Sequence, residues 1–163
     1  MSAQLTTADA AALLDAVAVD LIAAKDDLTQ LDAALGDGDL GRTIERGFNA
    51  VRASLQDSTE TDLGRMLFQQ GKAFNTAAAS SFGTLFSTLL QKCGMALKDR
   101  QAAALPELVD ALQTAFDALK ERGKAAVGDK TMLDALHPAL EAMRAALAQP
   151  EPPTLAGLLR AAA

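Results

Sequence analysis

The sequence contains neither Trp nor Tyr, and its aromatic residues are six Phe in 163 positions. Its single cysteine, Cys93, cannot form an internal disulfide, which is typical of a protein in a reducing cytoplasm. Basic residues form no run, and the formal net charge of −6 argues against nucleic acid or an anionic membrane as a partner. No stretch is apolar and long enough to span a bilayer, and the N-terminal residues lack the features of a signal peptide. We therefore expect a cytoplasmic protein that binds neither nucleic acid nor membrane.

Alanine and leucine are abundant, and half of all residues are hydrophobic, which is enough for one domain with a buried core. This composition favours helix, and we find no strand pattern. The spacing of apolar residues and the Thr, Asp, Pro and Gly at helix ends define the helices. They run from Thr6 or Thr7 to just before Gly36, over 42–55, 62–75 and 80–97, from Pro106 to Gly123, from Thr131 with a kink or restart at Pro138, and from Thr154 onward. The expected fold is all-α: a single domain, residues 1–163, forming a barrel or bundle of about seven or eight antiparallel helices.

One segment departs from the helical pattern: LDAALGDGDLGRT, residues 31–43, which holds three Asp and three Gly. Asp32 falls at the end of the first predicted helix, and Asp37 and Asp39 lie on the glycine loop that follows. Three converging carboxylates repel one another unless a cation neutralises them, and hard divalent cations such as Mg²⁺ prefer oxygen ligands. The next helix begins at Leu40–Thr43, and a helix N-terminus binds phosphate readily. The segment therefore predicts a metal–nucleotide site.

The same segment has a simpler interpretation, which is a surface turn. Asp-Gly pairs are common in turns, and an Asp that precedes a helix is a good N-cap. Spacing alone does not decide between the turn and the metal site. A Ca²⁺ loop of the EF-hand type fits less well, because the glycine spacing differs and no Glu closes the loop at its twelfth position.

Two motifs together resemble a known family. The first is LDAALGDGDLG at residues 31–41, and the second is GDKTMLDALHPAL at residues 128–140. Both are similar to signatures of the L subunit of dihydroxyacetone kinase, the nucleotide-binding domain of these kinases. The resemblance implies a barrel of eight amphipathic antiparallel helices that binds ADP or ATP at one end through two Mg²⁺ ions. It assigns those ions to Asp32, Asp37 and Asp39.

The resemblance also implies which residues bind the nucleotide. Four of them follow the third aspartate directly, at the start of the next helix, and one opens the second motif. Where relatives often carry His or Thr, this chain has Leu40, which can contribute only its backbone. The expected nucleotide-binding residues in these two motifs are Leu40, Gly41, Arg42, Thr43 and Gly128.

A third segment, NTAAASSFGTLF at residues 75–86, is the counterpart of a serine- and glycine-rich segment that closes on the phosphates in the family. We assign this role to Ser80 and Ser81, because hydroxyls and exposed amides at a helix start suit phosphate oxygens. A register on Gly83-Thr84 is an alternative, and so is an ordinary interface of small residues between helices.

The second motif also has residues with simpler roles. Thr131 and Asp134 are expected to cap a helix, while Asp129 or Lys130 is a candidate for the rim of the site. His137 is the single histidine, and beside a proline in a helix it is expected to be structural or exposed and not catalytic.

The resemblance implies a phosphoryl-transfer function. The metal ligands are the only catalytic groups expected on this chain, because the family binds its substrate, dihydroxyacetone or a related short ketose, on a separate substrate-binding subunit. In one branch of the family a phosphotransferase-system protein rephosphorylates bound ADP, and in the other ATP exchanges freely. Family members also continue beyond the position of Ala163 with a segment that covers the nucleotide, which we expect this chain to lack. The alternatives are a shortened family member that acts as a regulatory or docking module without kinase activity, and a metal-binding structural bundle.

Overall fold

The computed structural model describes residues 4–151 and 153–163, and within them the chain forms eight helices and one pair of short strands. In chain order the elements are β1 (Gln4–Thr6), α1 (Thr7–Ala23), α2 (Lys25–Ala33), α3 (Leu40–Gln56), α4 (Leu63–Ala77), α5 (Ser81–Ala96), β2 (Ala102–Ala104), α6 (Leu105–Gly123), α7 (Met132–Leu147) and α8 (Leu155–Ala162). The predicted all-α class is confirmed. In the described ranges, no helix combines the length and the apolar character needed to cross a membrane.

Side-chain caps explain why several helices begin close to their predicted positions. Thr6 and Asp9 form a capping box at the start of α1, as expected. Asp62 caps α4 and Ser80 caps α5, each through a side-chain oxygen that accepts an amide hydrogen of the first turn. Caps of this kind each stabilise a helix by about 1 kcal/mol. They fix the helix starts and therefore the positions of the loops that precede them.

The prediction of one continuous first helix was wrong. The helix is interrupted at Ala24, whose ψ of 7° departs from helical geometry, and the chain continues as α2. The break turns α2 onto the start of α3, where Gly41 lies so close to the Lys25 carbonyl and the Thr29 side chain that a Cβ would not fit. No proline or glycine marks the break in the sequence, because its cause is packing against a later helix.

The expectation that the chain has no strand was also wrong. Gln4–Thr6 pairs antiparallel with Ala102–Ala104, and Leu5 lies opposite Ala103. Alanine has little preference for strand, so local propensity does not explain the pairing. Leu5 and Ala103 are both buried in the same hydrophobic cluster, and this tertiary contact holds the two segments extended.

Helix α7 does not restart at Pro138, contrary to one expectation. The helix is continuous over Met132–Leu147 with Pro138 inside it. Proline removes one backbone hydrogen bond and costs about 3 kcal/mol within a helix. Leu133 and Leu140, on either side of the proline, are both buried in the core, and this packing keeps the helix in one piece.

Consecutive helices from α3 to α7 run antiparallel, so alternate linkers lie at the same end of the bundle. Gly64, near the start of α4, lies against Gly94, near the end of α5. Arg144 on α7 donates a hydrogen bond to Gln113 on α6 at 2.8 Å. We call one end the upper end, and its linkers are residues 34–39, 78–80 and 124–131. The strand pair lies at the opposite end.

Four of the six Phe form an aromatic cluster beneath the upper end. Phe48 and Phe74 are fully buried, with their rings edge to face at 5.2 Å, and Phe82 stacks on Phe86 at 5.9 Å. Leu40, the first residue of α3, packs against the buried hydrophobic cluster that contains Phe48 and Phe74, and so do Phe82 and Phe86. Phe82 belongs to the first turn of α5. The starts of α3 and α5 therefore pack against the same hydrophobic cluster.

Candidate metal and nucleotide site

The three predicted metal ligands converge at the upper end. Asp32 stands on the last turn of α2, and Asp37 and Asp39 lie on the loop that leads to α3. Each offers one carboxylate oxygen, and these oxygens lie within 4.8 Å of one another. Asp37 is exposed, and the other two are partly buried. Across residues 4–151 and 153–163, no other group of three His, Cys, Asp or Glu side chains comes together in this way.

Asp32 holds the loop together through hydrogen bonds. Its Oδ2 accepts the amide hydrogens of Asp39 at 2.9 Å and Leu40 at 3.1 Å, and its carbonyl oxygen accepts that of Gly36 at 2.6 Å. Asp32 therefore caps α3 from the preceding helix, whereas Asp39, directly before α3, makes no side-chain cap bond. Asp32 thus provides the helix cap that the turn interpretation assigned to the Asp directly before α3. Among the described residues, no group donates a hydrogen bond to the carboxylates of Asp37 and Asp39.

Two glycines give the loop its shape. A Cβ at Gly36 would lie against the Asp32 carboxylate, so a side chain there would displace this candidate ligand. Gly38 has a φ of +72°, a left-handed conformation that residues with a Cβ rarely adopt. A Cβ at Gly38 would also lie 3.1 Å from the Cβ of Ala33. The glycines are thus required by the same geometry that brings the carboxylates together.

The donor set fits a hard divalent cation. All three candidate ligands are carboxylates, which suit Mg²⁺ or Ca²⁺. Around one octahedral Mg²⁺, neighbouring ligand oxygens are about 3 Å apart and opposite ones about 4 Å, so a spread of 4.8 Å requires only small side-chain movements. In the described part of the chain none of the three carboxylates forms an ion pair. A bound cation would relieve their mutual repulsion.

The four predicted phosphate contacts at the start of α3 lie in different environments. The Leu40 side chain packs against the hydrophobic cluster that contains Phe48 and Phe74, and Thr43 is buried within the bundle. Gly41 is buried against α2, while Arg42 is exposed. The backbone amides of Gly41 and Arg42 belong to the first helical turn and have no hydrogen-bond partner among the described residues. These amides, and not the side chains of Leu40 and Thr43, are the groups best placed to meet a phosphate.

The serine segment lies at the same end, at the start of α5. Ser80 caps this helix by accepting the amide hydrogen of Gly83 at 3.0 Å, and Ser81 is exposed. Both serines line an open depression together with Thr84 and with Arg122 from the end of α6. Sequence reasoning did not identify Arg122, because it is distant from the serines in the chain and no local pattern connects them.

Gly128 is part of a loop that the chain itself holds closed. Asp134 accepts the amide hydrogens of Thr131 at 2.8 Å and of Gly128 at 2.6 Å, and these bonds lower the pKa of the Asp134 carboxyl. The predicted capping box of Thr131 and Asp134 is confirmed. His137 is exposed and stacks on Phe116 at a ring distance of 5.9 Å. A contact between Gly128 and a nucleotide stays a prediction.

The bundle and its acidic loop define an all-helical domain with a candidate divalent-cation site beside helix N-termini. The chain belongs to the DAK2 domain family, which matches residues 34–163. The matched range includes Asp37 and Asp39 and begins just after Asp32.

Relatives of the chain are kinases by name. It is 36% identical over 139 residues to D-erythrulose kinase of Mycolicibacterium smegmatis, covering 84% of this chain and 24% of that protein. It is 35% identical over 117 residues to the ADP-binding subunit DhaL of the PEP-dependent dihydroxyacetone kinase of Escherichia coli, covering 72% of this chain and 56% of that subunit. The chain therefore spans less than two thirds of the length of either relative.

A solved structure shares the fold. The dihydroxyacetone kinase of C. freundii, in complex with AMP-PNP and Mg²⁺, matches with a TM-score of 0.73 and 29% identity. The match covers 93% of this chain and 27% of that one. The expected resemblance to the nucleotide-binding domain of dihydroxyacetone kinases is thus confirmed in both sequence and fold.

Proposed function

We propose that this chain binds Mg-ADP or Mg-ATP as the nucleotide-binding part of a kinase that passes a phosphoryl group to dihydroxyacetone or a related short ketose. The observation that carries the proposal is the convergence of Asp32, Asp37 and Asp39 within 4.8 Å beside the start of α3. Two comparisons support it: the kinase names of the relatives, and the AMP-PNP and Mg²⁺ in the C. freundii enzyme.

In this proposal the three aspartates hold Mg²⁺, which when bound neutralises negative charge on the nucleotide phosphates. Asp32 has two tasks, since its Oδ2 caps α3 and its other oxygen is available as a ligand. Asp37 and Asp39 make no side-chain hydrogen bond within the described residues, so both of their carboxylate oxygens are available. This number of oxygens supports a site for two ions, as the family resemblance implies.

We place the phosphates between two helix starts. The amides of Gly41 and Arg42 face them from α3, and the hydroxyls of Ser80 and Ser81 face them from α5. The hydrophobic cluster that contains Phe48 and Phe74 supports this placement, because the first residues of both helices pack against it. A helix N-terminus favours an anion by about 0.3–1 kcal/mol. Leu40, Thr43 and Gly128 contribute little beyond shape, because their side chains are packed away or, for Gly128, the amide is already bonded.

The acceptor is expected on a separate substrate-binding subunit or domain. Phosphoryl transfer depends on positioning and charge neutralisation, so this chain needs no general base of its own. The phosphoryl donor is either exchangeable ATP or a phosphotransferase-system protein that acts on bound ADP. The test incubates the ADP-loaded chain with the ketose and the ketose-binding subunit, and adds either ATP or phosphoenolpyruvate with phosphotransferase-system proteins. The donor that yields ketose phosphate is the one that this chain uses.

Calorimetric titration of ADP, with Mg²⁺ and then with EDTA, tests the binding step. Binding is expected in Mg²⁺ and is expected to be much weaker in EDTA. Asp37→Asn should abolish it, while Asp110→Asn, which removes an equal charge near the start of α6, should not. ADP binding that is equally strong in EDTA would contradict the metal assignment. An absence of ADP binding together with metal binding would favour a structural metal site over a kinase.

A further inference from the structure

We infer that this chain associates head to tail with a second copy of itself, so that the outer face of α1 in one copy packs into a groove between α4 and α5 of the next. The inference is independent of the proposed function. Eight large hydrophobic side chains are exposed within residues 4–151 and 153–163, and five of them lie on these two surfaces. Apolar side chains that gather on an exposed surface are typical of a protein interface. The five are Leu13, Val17, Val19, Phe68 and Met95.

The first surface is the outer side of α1, which we call the α1 face. Its exposed members lie within about half of the helix circumference. Other apolar residues of α1 point into the bundle, so the helix is apolar nearly all round, and a helix of this kind is normally buried. Because α1 contains neither Lys nor Arg, the α1 face is acidic as well as apolar. We define it as Asp9, Leu13, Ala16, Val17, Val19 and Asp20.

The second surface is a groove between α4 and α5, which we call the basic groove. Gly64 and Gly94 bring the two helices close together, since a Cβ on either would lie against the carbonyl oxygen of the other. Phe68 and Met95 line the groove and are 38% and 59% exposed. Arg65 also lines it, but two aspartates of the same copy already lie 3.6 and 3.8 Å from its guanidinium.

Three exposed lysines give the basic groove its available charge. Lys98 lines the groove, Lys72 stands one helical turn after Phe68, and Lys92 stands one turn before Met95. None of the three forms an ion pair with another residue of the described ranges. In a chain whose net charge is −6, this is a positive surface with an apolar centre. It is complementary in charge to the α1 face.

The spacing of the charges also agrees between the two surfaces. Asp9 and Asp20 are eleven residues apart on α1, which is about 16 Å along the helix. Lys98 lies beside Gly64, where a Cβ would meet its amide nitrogen, and Lys72 follows eight residues after that glycine, about 12 Å along α4. The flexible lysine side chains can span the difference of about 4 Å. One α1 helix can therefore place both carboxylates near both ammonium groups.

The occupant of the basic groove is a second copy, because α3 separates the two surfaces within one copy. Arg52 of α3 pairs with Asp15 of α1 at 2.7 Å, and Gly47 of α3 lies against Phe74 of α4. Two α1 faces would bring carboxylates together, and two basic grooves would bring lysines together. A contact between unlike surfaces joins opposite charges. It leaves one free surface at each end, so it closes into a ring or extends as a filament.

The test measures self-association by sedimentation, at concentrations from micromolar to near-millimolar. The groove variant combines Met95→Gln with Lys98→Glu, and the α1 variant combines Val17→Gln with Asp20→Lys. Each variant replaces one exposed apolar side chain and reverses one charge. All four residues are exposed, so both variants are expected to fold, which circular dichroism verifies.

We expect the original chain to associate at low salt and to dissociate in about 1 M salt, where the Debye length is about 3 Å. Each variant should associate at least about tenfold more weakly. The control Val127→Gln with Arg160→Glu makes the same two kinds of change outside both surfaces, and it should behave like the original chain. An original chain that stays monomeric throughout would overturn the inference, and so would a variant that associates as strongly as the original chain.

A mixture of the two variants tests the head-to-tail arrangement itself. The groove variant keeps an intact α1 face, and the α1 variant keeps an intact basic groove. Together they should form a heterodimer that does not grow further, although each alone is monomeric. A mixture that stays monomeric under conditions in which the original chain associates would overturn the inference, because it would show that the two surfaces do not bind each other.

Discussion

The two glycine- and aspartate-containing loops at the upper end look alike in sequence but differ in structure. In the first, residues 34–39, Asp32 ties the loop and the carboxylates of Asp37 and Asp39 remain without hydrogen bonds from the described residues. In the second, residues 124–131, Asp134 accepts the amide hydrogens of Thr131 and Gly128, and Asp129 accepts that of Ala126 at 2.8 Å. The first loop has carboxylate oxygens available for a ligand, whereas backbone amides of the second loop engage both oxygens of Asp134 and one oxygen of Asp129.

The two loops contain the same residue types, aspartate and glycine, but use the aspartates for different purposes. Asp134 accepts a backbone amide hydrogen with each of its two carboxylate oxygens, so it contributes to local order and has little capacity left for a metal. Asp32 uses one oxygen in this way and keeps the other for a ligand. Aspartates that are brought together without such bonds repel one another, and they are stabilised only when a cation binds. The state of the carboxylate oxygens therefore distinguishes the candidate ligand loop from the structural loop, although both loops match family motifs.

The largest expected effect is on nucleotide binding by the first loop. Asp39→Ala should weaken Mg-ADP binding at least 100-fold, which corresponds to ~2.7 kcal/mol. The unliganded fold should be unchanged or slightly more stable, because Asp39 makes no cap bond and its removal relieves like-charge repulsion. Calorimetry and urea unfolding in EDTA measure the two effects separately. An unfolded variant would show that Asp39 has a structural role like that of Asp134.

The next effect concerns the packing that positions the first loop. Gly41→Ala places a methyl group against the Lys25 carbonyl, and backbone cannot move aside easily. We expect a loss of about 1–3 kcal/mol in the free energy of unfolding, as in other overpacked sites. Gly123→Ala is the matched control, since the nearest atom to its Cβ is a Leu85 methyl at 3.9 Å. Equal stability of the two variants by urea unfolding would show that the contact between α2 and α3 is not constrained.

A third effect is the stabilisation of the chain when Mg²⁺ binds to the first loop. Mg²⁺ at about ten times its dissociation constant should stabilise the chain by ~1.4 kcal/mol, which is about 3–6 °C in melting temperature for a domain of this size. Asp37→Asn should abolish most of this rise, and Asp110→Asn should keep it. Thermal melts in EDTA and in excess Mg²⁺ provide the measurement. Identical curves for the original chain under both conditions would mean that the loop is only a turn.

The sequence predicted those parts of the molecule that depend on local chemistry. The capping residues Thr6, Asp62 and Thr131 mark helix starts because each bonds to its own first turn. The break at Ala24 and the strand at Ala102–Ala104 were missed, because packing between distant segments produces them.

In the candidate site, too, the sequence predicted the residues that lie close together in the chain and missed one that packing brings in from a distance. The three aspartates were found because they lie within eight positions of the chain, and the structure brings them together as expected. Their action as metal ligands stays a prediction. Arg122 was missed because only the antiparallel packing of α5 and α6 brings it to Ser80 and Ser81.

The smallest expected effect is on how the free energy of unfolding depends on pH, and it comes from the second loop. Hydrogen bonds from the Thr131 and Gly128 amides lower the pKa of Asp134 below its ordinary value of 3.8. Because the pKa is lower in the folded state, the stabilisation is present above the unfolded value and is lost as the pH falls through the folded one. Urea unfolding from about pH 6 to about pH 3 should therefore show a shallower loss of stability in Asp134→Asn than in the original chain. Asp110→Asn should follow the original chain. Parallel curves for the original chain and Asp134→Asn would mean that these bonds do not persist in solution, and that the second loop is as open to a ligand as the first.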